Sequence, residues 1–205
     1  MKSRRMKMRY LTSLVLTLLC TGNLWAQSED PHAAHKAAMS KPHYTVTDAV
    51  YDIPDVQLID EEGEVVALRG LLESDQPVAL NFIFTTCTTI CPVMTVTFAQ
   101  MQRTLGAAAE ELLLVSLSID PEYDRPGVLK AYARQFQAEQ NWTFLTGDSN
   151  DIADVLRSFD SYAGSKMNHQ PVTLLRNPDK DGWIRIDGLA NGASLAQEVT
   201  NRLLL

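Results

Sequence analysis

Residues 79–102, ALNFIFTTCTTICPVMTVTFAQMQ, decide the fold. The largely apolar run at 79–84 predicts a strand that is buried in a sheet. A polar turn follows and carries Cys87 and Cys91, and Pro92 then opens a helical pattern. The sequence therefore predicts two thiols at a strand-to-helix junction.

The segments on either side of this stretch alternate between strand and helix patterns. This alternation is typical of an α/β sandwich. The predicted elements are a hairpin at 55–68, strands at 77–84, 112–119 and 142–145, helices at 92–105, 125–137 and 148–159, a hairpin at 172–186 and a terminal helix at 194–205. Pro126 is expected to open the second of these helices and Asp148 or Ser149 to cap the third.

The first 26 residues have the pattern of a secretory signal peptide. Five basic side chains precede an apolar segment at 11–20, and Ala26 offers a cleavage site. The apolar segment is short and interrupted by polar residues, which favours cleavage over retention as an N-terminal membrane anchor. Cys20 lies in this segment and is expected to be removed with it.

Residues 27–50 are predicted to be a flexible leader, because they are rich in Ala, His, Lys, Ser and Pro and show no sustained apolar period. His32 and His35 are spaced so that one helical turn would bring them together, and they are candidates for an auxiliary metal site. The alternative is a solvated tail whose histidines bind nothing. The folded domain is expected at 51–205.

Composition excludes two classes of partner. The chain carries a net charge of −7, and the predicted signal peptide contains five basic and no acidic side chains, so the mature protein is more acidic still. An acidic protein is a poor ligand for nucleic acid or for an anionic membrane surface. Membrane association is expected only if the signal peptide stays as an anchor.

Cys87 and Cys91 are four positions apart, so a helical turn would place both sulphurs on one face. Such a pair can form a disulfide, take part in thiol–disulfide exchange with a partner or bind a soft metal. The alternative without a chemical function is a structural disulfide or two buried thiols. The N-terminal end of the following helix is expected to lower the pKa of Cys91. Met94 and Met101 on that helix are expected to fill the core.

His169 is the fourth histidine of the chain and lies in a predicted loop just before a strand. Two thiolates and one imidazole form a soft donor set that suits copper better than a hard cation. The spacing alone also allows an incidental loop histidine.

Four motifs resemble the Sco/SenC family of copper proteins: FIFTTCTTICPVM, LSIDPEYD, FLTG, and a histidine before a strand that ends in an NP turn. The resemblance covers residues 51–205. It implies a thioredoxin-like fold with a central mixed sheet, flanking helices and an N-terminal β-hairpin. It also implies that Cys87, Cys91 and His169 bind one copper ion, while Asp120, Pro121, Glu122 and Asp124 shape a turn and cap the next helix.

The same resemblance implies a function in the assembly of cytochrome c oxidase. We expect a monomeric periplasmic chaperone that binds Cu(I) or Cu(II) and delivers it to an apo copper protein. The alternative is a thiol–disulfide oxidoreductase in which Cys87 attacks a partner's disulfide and Cys91 resolves the product. A binding module whose Cys87–Cys91 disulfide is only structural is the third hypothesis.

Pro171 departs from the family pattern. Its position before a Val-Thr-Leu-Leu strand resembles the cis-proline of thioredoxins, which faces the redox cysteines. A cis bond before Pro171 would favour the exchange function.

Overall fold

The computed structural model describes residues 44–205. The predicted signal peptide at 1–26, Cys20, and the leader histidines His32 and His35 lie outside the described residues. Eight strands are present in the described range: β1 (Tyr44–Ala49), β2 (Gln57–Asp60), β3 (Val65–Ala67), β4 (Val78–Ile83), β5 (Leu113–Ser118), β6 (Trp142–Thr146), β7 (Val172–Arg176) and β8 (Trp183–Gly188).

The strands form one mixed sheet in the order β1-β8-β7-β4-β5-β6-β2-β3. β4 runs parallel to β5 and antiparallel to β7. The carboxyl end of β4 therefore lies beside the beginning of β7, with Asn81 opposite Thr173. β2 and β3 form the predicted N-terminal hairpin.

Five α-helices accompany the sheet in the described residues: α1 (Leu68–Leu72), α2 (Ile90–Leu105), α3 (Pro126–Gln135), α4 (Ser149–Ser158) and α5 (Gly192–Val199). Pro126 is the first residue of α3, and Asp148 caps α4 by accepting a hydrogen bond of 2.8 Å from the Asn150 amide, so both predictions are confirmed. Short 3₁₀ turns occupy Gly106–Glu111 and Lys166–Asn168, and a π-helical turn at Thr200–Leu204 extends α5.

Apolar side chains on the two faces of the sheet form two separate cores. One core joins the sheet to α2, α3 and α5, and the other joins it to α1 and α4. Within β4, Ala79 and Ile83 face the first core and Leu80 and Phe82 face the second, as the two-residue period of a strand requires. This three-layer arrangement confirms the predicted thioredoxin-like α/β fold.

β1 corrects the predicted boundary of the leader. Its six residues pair with β8 from Tyr44 opposite Gly188 to Ala49 opposite Trp183. Tyr44 and Val46 pack partly buried against the core while Thr45 and Thr47 are exposed, which is the alternation of an edge strand. The folded domain therefore includes Tyr44–Ala49, and the prediction of a flexible leader up to residue 50 was wrong for this strand. In residues 44–205, no helix is both long enough and apolar enough to cross a bilayer.

Candidate metal centre

The two cysteines lie where β4 gives way to α2. The amide of Cys87 donates a hydrogen bond of 3.1 Å to the Phe84 carbonyl, which closes the turn after the strand. Ile90 is the first residue of α2, so Cys91 belongs to its first turn. Both cysteines are free thiols, and both are buried, Cys87 with 9% of its surface exposed and Cys91 with none.

The environment of Cys87 favours its thiolate. Burial raises the pKa of this thiol, but the backbone amides of Cys91 and Thr89, helped by the Thr89 hydroxyl, lower it more, to about 7. The Cys91 amide lies 3.5 Å from the Cys87 sulphur. The beginning of α2 thus directs its free N–H groups at Cys87.

Cys91 has the opposite environment. Burial, and then the side chain and charge of Cys87 together with the charge of Asp124, raise its pKa to about 12, although a backbone hydrogen bond involving Phe84 acts against this. The prediction that the helix would lower the pKa of Cys91 was therefore wrong. The helix begins two residues earlier than predicted, at Ile90, and its free amides reach the preceding cysteine instead.

His169 lies against the last part of β4. Its Nε2 is 3.0 Å from the Phe82 carbonyl oxygen, and only 6% of the residue is exposed. A carbonyl can only accept, so Nε2 carries the proton and Nδ1 keeps its lone pair. Burial lowers the pKa of His169, and the hydrogen bond to Phe82 opposes that shift only in part. The neutral imidazole is the form that binds metals.

One surface pocket contains both a cysteine and this histidine. Its walls include Cys87, Met167, His169 and Pro171. Cys91 lies behind Cys87 and is fully buried. In the described part of the chain, no three His, Cys, Asp or Glu side chains are close enough together to form a ready-made metal cluster. The structure therefore brings Cys87 and His169 to one pocket without closing a three-ligand site.

The peptide bond before Pro171 is trans, since residues 44–205 contain no cis peptide bond. The prediction of a cis-proline was wrong, in keeping with the ordinary preference of X–Pro bonds for trans. The Pro171 carbonyl accepts a hydrogen bond of 2.9 Å from the Gly188 amide. Pro171 nevertheless lines the pocket beside Cys87, as its sequence position suggested.

Asp124 supports the turn that carries the cysteines. Its fully buried carboxylate accepts hydrogen bonds from the Thr85 amide (3.0 Å), the Thr85 hydroxyl and the Ser118 hydroxyl (2.6 Å). Asp124 therefore connects the end of β5 to the residue two positions before Cys87. The predicted turn is present, because the Asp120 carbonyl accepts a hydrogen bond from the Asp124 amide. Arg125, the residue before α3, forms no side-chain cap, so the predicted capping was wrong.

Lys166 holds the loop before His169 and was not singled out in the sequence. Its ammonium group forms an ion pair with Asp120, whose side chain is only 8% exposed, and it lies 5.7 Å from the centre of the Phe84 ring. The His169 amide donates to the Lys166 carbonyl at 3.2 Å. Its position three residues before His169 could have drawn attention to Lys166, but its acidic partner Asp120 is distant in sequence.

Copper fits the donors at this site. Two sulphurs and an imidazole with an unshared nitrogen are soft or intermediate ligands, whereas hard cations need oxygen ligands that the pocket does not offer in quantity. Met94 and Met101 are buried on α2 as predicted and contribute to the core.

A family model described as SCO1/SenC matches residues 49–204. The chain belongs to the SCO1/SenC family. The SCO1 protein homolog of Bacillus subtilis is 32% identical over 137 residues, which cover 63% of this chain and 70% of that relative. The SCO2-like protein of Rickettsia typhi is 32% identical over 106 residues, so this SCO1/SenC chain spans about half of that relative's length, 49%.

Solved structures of Sco proteins share the fold. BsSco, described as a member of the Sco family of cytochrome c oxidase assembly proteins with a disulfide switch, is 29% identical at a TM-score of 0.63, covering 76% of this chain and 95% of that one. Arabidopsis thaliana ScoI with copper bound has the same TM-score of 0.63 at 24% identity, over 75% of this chain and 97% of that one. The second likeness concerns the fold alone.

Proposed function

We propose that this SCO1/SenC protein binds one copper ion through Cys87, Cys91 and His169 and delivers it to a partner's copper site. The observation that carries the proposal is that Cys87 and His169 line one pocket, with Cys91 directly behind Cys87. The family membership supports the same function. Copper is the cargo of this reaction and passes between proteins by exchange of ligands.

Each of the three side chains has a defined part in binding. Cys87 supplies a thiolate near neutral pH, and His169 supplies Nδ1, because its Nε2 is engaged with the Phe82 carbonyl. That carbonyl orients the imidazole as outer hydrogen-bond partners of metal-bound histidines do. Cys91 is protonated before copper arrives and releases its proton when its sulphur binds.

Copper titration of the reduced protein tests this function. The wild-type chain is expected to bind one copper ion. His169→Ala should weaken the binding by at least the roughly 10- to 100-fold that loss of an outer hydrogen-bond partner of a metal ligand causes. Gln170→Ala is the matched control, because Gln170 lines the same pocket but its amide bonds to the Asn168 carbonyl. A reduced wild-type protein that binds no copper would rule the proposal out.

The partner and the compartment are part of the proposal. BsSco is named as a member of a family that assembles cytochrome c oxidase, and we propose a copper site of that oxidase as the recipient. The signal-like segment at 1–26 supports export, and we propose the periplasm, with a monomer as the functional state. His32 and His35 remain candidates for an auxiliary metal site that collects copper.

Thiol–disulfide exchange is the second candidate function. The observation that favours it is the difference between the two thiols, with a pKa of about 7 for Cys87 and about 12 for Cys91. The Cys87 thiolate would attack a partner's disulfide, one partner sulphur would leave as a thiolate, and Cys91 would then displace the second while the Cys87–Cys91 disulfide forms. The partner is reduced and this protein is oxidised.

The reduction potential separates exchange from a structural disulfide. An exchange function predicts a value above about −300 mV, whereas inert structural disulfides lie below it. The Cys91→Ala variant should also accumulate a mixed disulfide through Cys87, which Cys87→Ala cannot form. The absence of a trapped species with Cys91→Ala would count against exchange.

A further inference from the structure

Met167 occupies the mouth of the pocket that contains Cys87 and His169. It is 76% exposed and lies in the 3₁₀ turn at Lys166–Asn168. A single exposed apolar side chain is common on a protein surface and does not by itself indicate a function. The position of Met167 indicates one, because its thioether is a soft metal donor on the same pocket wall as Cys87 and His169.

The turn holds Met167 in place through its backbone and its neighbours. The Met167 amide donates to the Ser165 hydroxyl at 3.3 Å, and the Asn168 amide donates to the Ser165 carbonyl at 3.0 Å. The ion pair between Lys166 and Asp120 ties the turn to the end of β5. The backbone is thus fixed while the flexible side chain stays free to reach an ion.

The two cysteines differ in solvent exposure, and this difference leaves room for an additional copper ligand at the surface. Cys91 has no exposed surface, so an ion arriving from solution meets Cys87 before it meets Cys91. A single thiolate is an incomplete set for Cu(I), and Met167 is an accessible sulphur on the same wall. Thioethers prefer Cu(I) over harder Cu(II), so the contribution should depend on oxidation state.

We propose that the Met167 thioether binds Cu(I) together with Cys87 at the mouth of the pocket, before the ion moves to Cys91 and His169 and again when it leaves. This inference rests on the proposed copper-binding function. In the inward step the Cys91 sulphur replaces the Met167 sulphur on copper and releases its proton to solvent. The ion stays Cu(I), and no electron is transferred.

The rate of Cu(I) capture tests this step in the full chain. Met167→Leu keeps an apolar side chain of similar size. The capture of Cu(I) from a chromogenic chelator should slow about tenfold, the lower end of the loss in affinity or activity that follows removal of an outer partner of a metal ligand. Cu(II) affinity should be unchanged. Met101→Leu is the matched control, because it removes a thioether from the buried part of α2 with little change in volume.

X-ray absorption provides a structural readout. In a Cys91→Ser background the ion cannot move inward to the second thiolate, and bound Cu(I) should show two sulphur ligands. Adding Met167→Leu should reduce that number to one, whereas adding Met101→Leu should leave two.

The outcomes separate the two proposals. Equal capture rates for wild type and Met167→Leu, or an unchanged sulphur count, would overturn the role of Met167 and leave the copper function standing. A wild-type protein that binds neither Cu(I) nor Cu(II) would overturn both.

Discussion

The backbone amide of Cys91 donates a hydrogen bond to the sulphur of Cys87, with 3.5 Å between nitrogen and sulphur. The same four-residue spacing that brings the sulphurs to one helical face thus also makes one cysteine stabilise the charge of the other. The two thiols consequently differ strongly in acidity, with the more accessible one ionising first.

Alkylation should detect this difference. In a Cys91→Ala chain, which keeps the backbone amide, the alkylation rate of Cys87 should rise with pH and reach half its maximum near pH 7. The rate rises with pH because only the thiolate reacts, and deprotonation increases the thiolate fraction. In a Cys87→Ala chain, burial should keep Cys91 slow until above pH 9, the ordinary value for a thiol. Equal midpoints for the two variants would contradict the assignment.

Asp124→Asn should destabilise the reduced protein. The carboxylate accepts three hydrogen bonds from Thr85 and Ser118, and an amide would present N–H groups to some of these donors. We expect a loss of about 1.5–3 kcal/mol in the free energy of unfolding, measured by urea denaturation.

Asp154→Asn provides the control for that measurement. Asp154 is 59% exposed and pairs with Arg157 on the surface of α4, so its loss should cost less than about 1 kcal/mol. Similar losses in the free energy of unfolding for the two variants would show that the hydrogen bonds of Asp124 contribute no more to stability than a surface ion pair.

Gly192→Ala should also destabilise the fold, by about 1–3 kcal/mol, as overpacking does. A Cβ at Gly192 would lie 2.3 Å from the Cβ of Gln100, where α5 meets α2, and an atom so close to the backbone cannot rotate away. Gly127→Ala on α3 is the matched control, because a Cβ there meets nothing within 4 Å. It should be neutral or stabilising, because alanine is the better helix former. Thermal unfolding should show a lower midpoint for Gly192→Ala and an equal or higher midpoint for Gly127→Ala than for the wild type.

Lys166→Ala should loosen the turn that carries His169. Without the ammonium group, the nearly buried Asp120 carboxylate loses its partner, and the amides of Asn168 and His169 should exchange hydrogen faster. The amides of β5 should exchange as in wild type, since its pairing with β4 and β6 is untouched. Lys130→Ala removes a surface ion pair with Glu62 and should leave the 166–169 turn unchanged.

Local patterns were sufficient for most of the architecture. The apolar run of β4 and the proline at the start of α3 follow from burial and backbone chemistry that act within a few residues. β1 was missed because an edge strand buries only alternate side chains. Tyr44 and Val46 alternate with threonines, but the Ala- and His-rich residues before them dominate the composition of the segment.

The site was less accessible to sequence reasoning. Spacing could not place His169 and Cys87 in one pocket, because that placement depends on β7 running antiparallel to β4. The resemblance to a family supplied the pairing instead. The acidity of the two thiols depends on where α2 begins, and a shift of two residues from the predicted start at Pro92 moved the lowered pKa from Cys91 to Cys87.

The direction of β7 also offers a way to mount this protein on a surface. The strand begins beside the pocket and ends at Arg176, about 13 Å further along, so the turn that follows lies at the opposite edge of the sheet. Lys180 is exposed in that turn, whereas the other lysines of residues 44–205, Lys130 and Lys166, form ion pairs. Coupling a sensor chip to Lys180 would leave the cysteine side facing the solution, in an orientation suited to measuring the arrival of a metal or a docking protein.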